Sequence, residues 1–95
     1  MHSYYVYILT NKTKTVLYIG VTNNLYRRLN EHNEGISPLS FTNRYKCKHL
    51  IFYEIFSQPN EAINREKQLK RWSRFKKERL IEQINPNWDF LEAPI

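Results

Sequence analysis

The sequence has too few cysteines and unsuitable histidine spacing for a disulfide framework or a common zinc site. Its one cysteine, Cys47, cannot form an internal disulfide, and its three histidines show neither HExxH nor HxH spacing. No apolar run reaches the roughly 18 residues of a membrane-spanning helix, and a strand pattern begins at once, without a signal peptide. We therefore expect a cytoplasmic protein with a reduced thiol and no membrane partner.

What the sequence does contain is enough apolar residues for a modest core and an excess of positive charge. A chain of 95 residues forms one domain, and 41% apolar with 15% aromatic residues is typical of a packed fold. The net charge of +6 favours a polyanionic partner such as nucleic acid. A merely soluble cationic protein has the same composition, so both interpretations stay open.

Tyrosine-bearing segments near the N-terminus predict a β-hairpin. Residues 4–10 and 16–21 are rich in aromatic and β-branched side chains, which favours strands. The polar segment between them is short, so the two strands are expected to pair antiparallel.

The length of this loop also predicts how the strands pair. If Asn11–Lys14 form the loop, Tyr7 faces Tyr18 and Tyr5 faces Gly20. Residues directly opposite each other point to the same side of a sheet. Both motif tyrosines would then share a solvent-accessible face, where Gly20 leaves room for a ligand. The alternating residues on the other face are apolar and predict a core face.

Helical periodicity and capping signals predict three helices after the hairpin. The first has about ten residues, with Asn23 or Asn24 as its N-cap and Gly35 at its end. Residues 36–46 are interpreted as a mobile loop. The remaining elements are a strand over 49–56 and helices over 59–72 and 74–84, the last capped by Ser73 and stopped by Asn85-Pro86.

The element order ββαβαα predicts an α+β domain whose small three-stranded antiparallel sheet is flanked by helices. We expect residues 1–84 to form this domain and residues 85–95 to form an extended tail. We also expect a monomer.

Glu66 interrupts the apolar face of the second predicted helix. It lies three residues from both Ile63 and Leu69 and therefore falls inside their stripe. A carboxylate in such a place is costly unless it is paired or bound to a metal. An ion pair with Lys70 at i+4 is the structural alternative to metal binding.

Arg28 and His32 are four residues apart on the first predicted helix and share one stripe of it. A guanidinium suits a phosphate because its planar fork donates two parallel hydrogen bonds. Either residue alone is more often a solvated side chain, so the signal depends on the combination.

Basic residues are concentrated in the last two helices, with Trp72 and Phe75 among them. Such interleaving suits a nucleic-acid backbone and exposed bases, although a soluble helix face whose aromatic rings enter the core has the same pattern. Together with basic residues elsewhere, the cluster predicts a nucleic-acid surface made of Arg27, Arg44, Lys46, Arg65, Lys67, Lys70, Arg71, Arg74 and Lys77.

Taken together, these motifs resemble the GIY-YIG nuclease superfamily. The resemblance covers about residues 3–84, and its short length is similar to that of the stand-alone bacterial members of unknown function. The matching segments are Tyr5-Val6-Tyr7, Tyr18-Ile19-Gly20, the run from Val21 to His32, and Arg65-Glu66-Lys67-Gln68-Leu69-Lys70-Arg71-Trp72.

The resemblance implies a role for each residue of the candidate catalytic set. Tyr7 matches the general base, Tyr18 its partner, Arg28 the arginine that steadies the phosphate, and His32 an auxiliary proton carrier. A tyrosine with its ordinary pKa of about 10 is a poor base unless nearby cations lower that pKa. Arg28 and a bound metal are expected to do so.

The resemblance further implies that Glu66 is the sole carboxylate ligand of one divalent metal, Mg²⁺ or Mn²⁺. Such an ion keeps most of its waters and needs few protein ligands. A late asparagine of the family matches either Asn85 or Asn87. Tyr5 replaces the first glycine of the family motif, and Val21 stands where some active members have a lysine.

The expected function is that of a metal-dependent endonuclease acting on DNA or a structured nucleic acid, in DNA repair or processing. One alternative is a nucleic-acid-binding module with a weak or inactive site. The other is an adaptor that recruits a repair partner through its basic helices.

Overall fold

The computed structural model describes residues 2–34 and 41–95, which form a three-stranded antiparallel sheet packed between helices. The strand order is β2-β1-β3, so the first strand is central and pairs antiparallel with both others. The elements are β1 (Tyr4–Thr10), β2 (Leu17–Thr22), α1 (Leu25–Glu34), α2 (Phe41–Tyr45), β3 (His49–Phe56), α3 (Pro59–Arg71) and α4 (Arg74–Ile84).

The predicted α+β class and the order ββαβαα are confirmed, with one short addition. Helix α2 lies within the segment that the sequence predicted as loop. Residues 36–40 of that segment and the predicted helix end at Gly35 lie outside the described residues. None of the described helices combines the length and apolar character that crossing a membrane requires.

The predicted pairing of β1 with β2 is wrong by two residues. Tyr7 pairs with Gly20, and Tyr18 pairs with Leu9. Tyr5, expected opposite Gly20, instead pairs with Thr22. Because side chains alternate with a period of two, this shift still leaves Tyr7 and Tyr18 on one face of the sheet.

The shift has a local cause in the side chain of Asn11. Its Oδ1 accepts hydrogen bonds from the backbone N–H groups of Thr15 at 2.8 Å and Val16 at 3.1 Å. These two residues therefore join the loop instead of the ladder, since an asparagine side chain competes with a strand for backbone donors.

Each face of the sheet has its own hydrophobic cluster. The face predicted to be the core face packs against α3 and α4, with Val6, Ile8, Ile19, Ala62, Leu69 and Ile81 at its centre. The face that carries the motif tyrosines packs against α1, with Tyr7, Leu9, Leu25, Cys47 and Leu50 at its centre. The sheet is thus covered on both sides.

Predicted caps fix where the helices begin. Asn24 Oδ1 accepts the backbone N–H of Arg27 at 3.0 Å at the start of α1. Ser73 Oγ accepts the backbone N–H of Lys76 at 3.2 Å at the start of α4. Both bonds satisfy donors that an α-helix leaves unpaired in its first turn.

The C-terminal tail is held against β3 through Asn85. The Asn85 side-chain amide donates to the carbonyls of Ile51 and Asp89, both at 2.9 Å, and its oxygen accepts the Asp89 N–H at 3.0 Å. Further along, the Leu91 N–H donates to the Leu50 carbonyl at 2.7 Å. Residues 85–95 are therefore packed on the domain.

Candidate active site

Tyr7 lies at the inner end of the candidate site and has no exposed surface. The expectation that this face is solvent-accessible is therefore wrong for Tyr7, because Leu25 of α1 and its neighbours cover it. The room beside Gly20 is filled by the Tyr7 ring: a Cβ on Gly20 would lie 2.9 Å from Tyr7 Cε1 and closer still to Cζ and Oη. The glycine accommodates the phenol instead of a ligand.

His32 joins Tyr7 to α2. Its Nε2 lies 3.3 Å from the Tyr7 hydroxyl, and its Nδ1 lies 2.7 Å from Thr42 Oγ1. Burial, and then the positive charge of Arg28, lower the pKa of His32 below its ordinary 6.5, while Glu31 opposes the change. The imidazole is therefore neutral at pH 7 and carries one N–H.

The pKa of Tyr7 is raised above its ordinary 10, chiefly because the phenol is buried and then because of Tyr18. Glu66 raises the pKa of Tyr7 further, and the nearby Arg28 lowers it without offsetting the burial. Arg28 alone therefore does not produce the activated tyrosine that the sequence suggested. Tyr7 keeps its proton at neutral pH.

Arg28 has donor capacity that the protein does not use. Its Nε lies 3.2 Å from Glu31 Oε1, yet that nitrogen is buried and makes no hydrogen bond within the part of the chain described. An unpaired buried donor is costly, and more so when it is charged. Its presence next to Tyr7 and His32 is the electrostatic feature that best suits an anionic ligand.

Tyr18 lies at the outer end of the site and begins a row of aromatic rings that we call the aromatic step, made of Tyr18, Phe41 and Tyr45. The Tyr18 and Phe41 rings stack at 5.9 Å, and the Phe41 and Tyr45 rings are 4.6 Å apart. Phe41 and Tyr45 are exposed. A cavity of about 250 Å³ is lined by Tyr18 and Phe41 together with Lys70 and Lys77.

Glu66 lies on α3, between the buried residues Ala62 and Leu69 and the exposed Ile63. Its side chain is 15% exposed, and Oε2 is 3.1 Å from Lys70 Nζ, so the predicted i+4 ion pair is present. The carboxylate is also close enough to raise the pKa of Tyr7. It is thus a partly desolvated acid beside the phenols.

The donor set around Glu66 fits a metal only in hydrated form. No group of three or more His, Cys, Asp or Glu side chains suited to a metal occurs among the described residues. A cation bound here would have one protein carboxylate, and Mg²⁺ tolerates this because it retains its waters. Zinc, which favours three or four nitrogen or sulfur ligands, does not fit.

The predicted nucleic-acid residues divide into free and engaged cations. Arg65 donates to both oxygens of Glu54 at 2.8 and 3.1 Å, and Arg74 bonds Glu78 at 2.9 Å and the Thr15 carbonyl at 2.8 Å. Both arginines are therefore engaged in contacts that stabilise the fold. Arg27 lies 3.9 Å from Glu31 and is mostly exposed. Lys70 pairs with Glu66 and Lys77 is half-buried; the other exposed cations are Arg44, Lys46, Lys67 and Arg71.

The sequence did not predict that α2 supplies residues to the candidate site, and the structure gives Asn85 a role outside the catalytic set. Thr42, Phe41 and Tyr45 carried no motif signal, because their segment was interpreted as loop. Asn85, one match for the late family asparagine, binds the tail to β3, and no bond joins it to the catalytic set. Asn87 is exposed on the same tail.

Comparison with known proteins agrees with this geometry. Residues 3–79 match the model of the GIY-YIG catalytic domain. A UPF0213 protein of Syntrophus aciditrophicus is 40% identical over 86 residues, covering 90% of this chain and 97% of that protein. One from Bacillus pumilus is 35% identical, covering 87% and 83%.

A solved structure supports the same conclusion. The solution NMR structure of a UPF0213 protein from Bacillus halodurans matches with a TM-score of 0.59 and 30% identity, covering 90% of this chain and 89% of that one. This chain therefore belongs to the GIY-YIG nuclease superfamily and is similar over most of its length to the small UPF0213 proteins.

Proposed function

We propose that this protein is a metal-dependent endonuclease that hydrolyses phosphodiester bonds in DNA, with a role in repair or processing. The observation that carries the proposal is the convergence of three groups, His32, Arg28 and Glu66, on the Tyr7 phenol. The Tyr7 hydroxyl contacts His32, and Arg28 and Glu66 both act on its pKa. Membership of a nuclease superfamily agrees with that use of the site.

Arg28 binds the scissile phosphate in this proposal. Its Nε is buried and makes no hydrogen bond among the described residues, and its guanidinium is partly exposed, so the group suits a bidentate contact with two phosphate oxygens. Charge on the phosphate grows at the reaction centre during attack, so a fixed cation there stabilises the transition state more than the ground state.

Tyr7 and His32 move the proton as a pair. Because Tyr7 is buried in the free protein, the attacking water has to reach its hydroxyl when the substrate binds. A buried phenolate is disfavoured, so Tyr7 accepts a proton from that water only as it passes its own proton to His32 Nε2. The hydroxide oxygen bonds to phosphorus, and the bond from phosphorus to the leaving sugar oxygen breaks. That oxygen takes a proton from solvent.

Glu66 is the residue that would hold Mg²⁺ or Mn²⁺. When bound, the metal supplies positive charge that polarises the phosphate and stabilises the leaving oxygen. Lys70 then has to release the carboxylate oxygen that it contacts at 3.1 Å. With a half-exposed side chain, Lys70 can turn toward the nucleic-acid backbone instead.

The outer end of the site provides contacts for nucleic acid. The aromatic step offers ring faces on which a base can stack. Lys70 and Lys77 line the same 250 Å³ cavity as Tyr18 and Phe41, so they can contact the phosphate of a nucleotide bound there. The two tyrosines therefore differ in exposure. In this proposal the partly exposed Tyr18 contacts the substrate, and the buried Tyr7 lies deeper in the site.

A cleavage screen tests the proposal. Branched, nicked, duplex and single-stranded DNA, with matching RNA, are incubated with Mg²⁺ or Mn²⁺, and parallel reactions contain a chelator. We expect metal-dependent cleavage of at least one DNA substrate. Cleavage that persists in chelator, or preferential cleavage of RNA, would contradict it.

One alternative function has structural support of its own. The Glu66–Lys70 ion pair and the complete burial of Tyr7 also suit a protein that binds nucleic acid without cleaving it. Salt-dependent binding to every DNA form, without cleavage of any of them in either metal, would favour this binding module.

A further inference from the structure

Thr42 is a buried polar residue whose partner belongs to the candidate catalytic set. It lies on α2, 1% exposed. Its Oγ1 is 2.7 Å from His32 Nδ1, across the imidazole from the Tyr7 hydroxyl. The threonine, the imidazole and the phenol thus form one hydrogen-bonded row from α2 through α1 to β1.

Two arrangements of the protons are compatible with the distances between Thr42, His32 and Tyr7. In one, Nδ1–H of His32 donates to Thr42 Oγ1, and Nε2 accepts the Tyr7 proton. In the other, Thr42 donates to Nδ1, and Nε2–H donates to the Tyr7 oxygen. A neutral imidazole carries one N–H, so the two arrangements exclude each other.

The burial of Tyr7 favours the first arrangement. Its hydroxyl has no contact with solvent. Two side chains hydrogen-bond with it: the Arg28 guanidinium, which can only donate, and His32 Nε2, which can accept. If Nε2 carried the hydrogen, the Tyr7 proton would have no acceptor there, and a buried unpaired donor is destabilising. The first arrangement gives that proton a partner.

We propose that Thr42 is a positioning residue that holds His32 as the Nδ1–H tautomer and so keeps Nε2 available to accept the Tyr7 proton. The catalytic meaning of this assignment rests on the proposed nuclease function, whereas the tautomer itself does not.

A hydroxyl suits this task better than the carboxylate that often orients a histidine. It accepts the Nδ1–H bond and fixes the ring without adding negative charge, which would favour the imidazolium. Once Nε2 takes the Tyr7 proton, the Nδ1–H bond to Thr42 is retained. The ring therefore keeps its position through the transfer.

The test compares the wild type with Thr42→Val and Thr42→Ser by ¹⁵N NMR of the histidine rings. Signals of His32 are identified by their loss in His32→Gln, which separates them from His2 and His49. We expect Nδ1–H in the wild type and in Thr42→Ser. In Thr42→Val, which keeps the shape but lacks the acceptor, we expect the Nε2–H form to gain.

Cleavage rates provide the second readout. We expect Thr42→Val to lower the single-turnover rate roughly ten- to a hundred-fold, the usual cost of losing a group that orients a functional histidine, with Thr42→Ser restoring most of it. Nε2–H in the wild-type protein overturns the proposal, even if Thr42→Val does not fold. The proposal is also overturned if Thr42→Val changes neither the His32 tautomer nor the cleavage rate.

The two proposals fail in different ways. Suppose that His32 carries its hydrogen on Nδ1 in the wild type and shifts to the Nε2–H form in Thr42→Val, but that the wild type cleaves no nucleic acid. That result would support the assigned tautomer and refute the nuclease function. Active protein with His32 as Nε2–H would refute the role of Thr42 and leave the nuclease function standing.

Discussion

The Tyr7 ring lies against Gly20 on the neighbouring strand, so closely that the glycine has no space for a side chain. This contact fixes the position of the phenol whose hydroxyl meets His32. The packing of the Tyr7 ring therefore explains why a glycine stands at position 20.

Gly20→Ala is expected to destabilise the protein by about 1–3 kcal/mol, because the added methyl group overpacks a buried ring. Thermal unfolding measures this. In a Tyr7→Ala background the space is already open, so the same substitution should cost much less. Equal losses in both backgrounds would contradict the contact.

Asn85→Ala tests whether Asn85 is structural. It removes three hydrogen bonds at a buried position, and we expect a loss of about 1–3 kcal/mol or more in the free energy of unfolding. The matched change at the exposed Asn87 should stay within about 0.5 kcal/mol. A stable but inactive Asn85→Ala protein would instead place Asn85 in the catalytic set.

The elements of the fold follow from local signals, and the sequence predicts them closely. β3 begins at His49 and ends at Phe56 as predicted, and Ser73 caps α4. The hairpin register depended on loop length alone, and the Asn11 side chain defeats it by taking two backbone donors from the ladder. Helix α2 was missed because its polar residues are typical of loops.

The candidate site was predictable in its residue types but not in its environment. The motifs bring Tyr7, His32 and Arg28 together, yet no motif reports that Tyr7 is buried. That burial reverses the expected direction of its pKa change. Arg65 looked like a phosphate ligand, but its partner, Glu54, lies on the preceding strand, and neither helical nor strand periodicity links the two positions.

The pH dependence of cleavage follows from His32. Burial and Arg28 lower its pKa below 6.5, against Glu31, and a protonated ring cannot accept the Tyr7 proton. We expect full activity above pH 6.5 and an acid limb of kcat/KM below it. Glu31→Gln removes the opposing charge, so its limb should move to lower pH; Glu34→Gln, exposed on the same helix, should leave it unchanged. A shift to higher pH in Glu31→Gln would contradict this cause.

Binding to duplex DNA should depend on salt through the exposed cations. If about five phosphates are neutralised, the slope of log affinity against log salt is expected near −4.5. Lys67→Gln should reduce the magnitude of that slope by roughly one. Arg65→Gln should leave the slope unchanged while lowering the melting temperature, because Arg65 is already paired with Glu54. A smaller slope in Arg65→Gln together with an unchanged slope in Lys67→Gln would contradict the assignment of Lys67 to nucleic-acid binding and of Arg65 to the fold.

The central claim, that Glu66 holds a catalytic metal, is tested most directly by the single-turnover cleavage rate of Glu66→Gln in Mg²⁺. The amide keeps the shape of the side chain but loses the charge that binds the cation. We predict a loss on the order of a thousand-fold or more, with DNA affinity nearly intact. Lys70→Gln, which breaks the same ion pair from the other side, should cost far less rate. Equal rates for Glu66→Gln and the wild type, with only a lower melting temperature, would show that Glu66 is a structural partner of Lys70 and contradict the metal-dependent site.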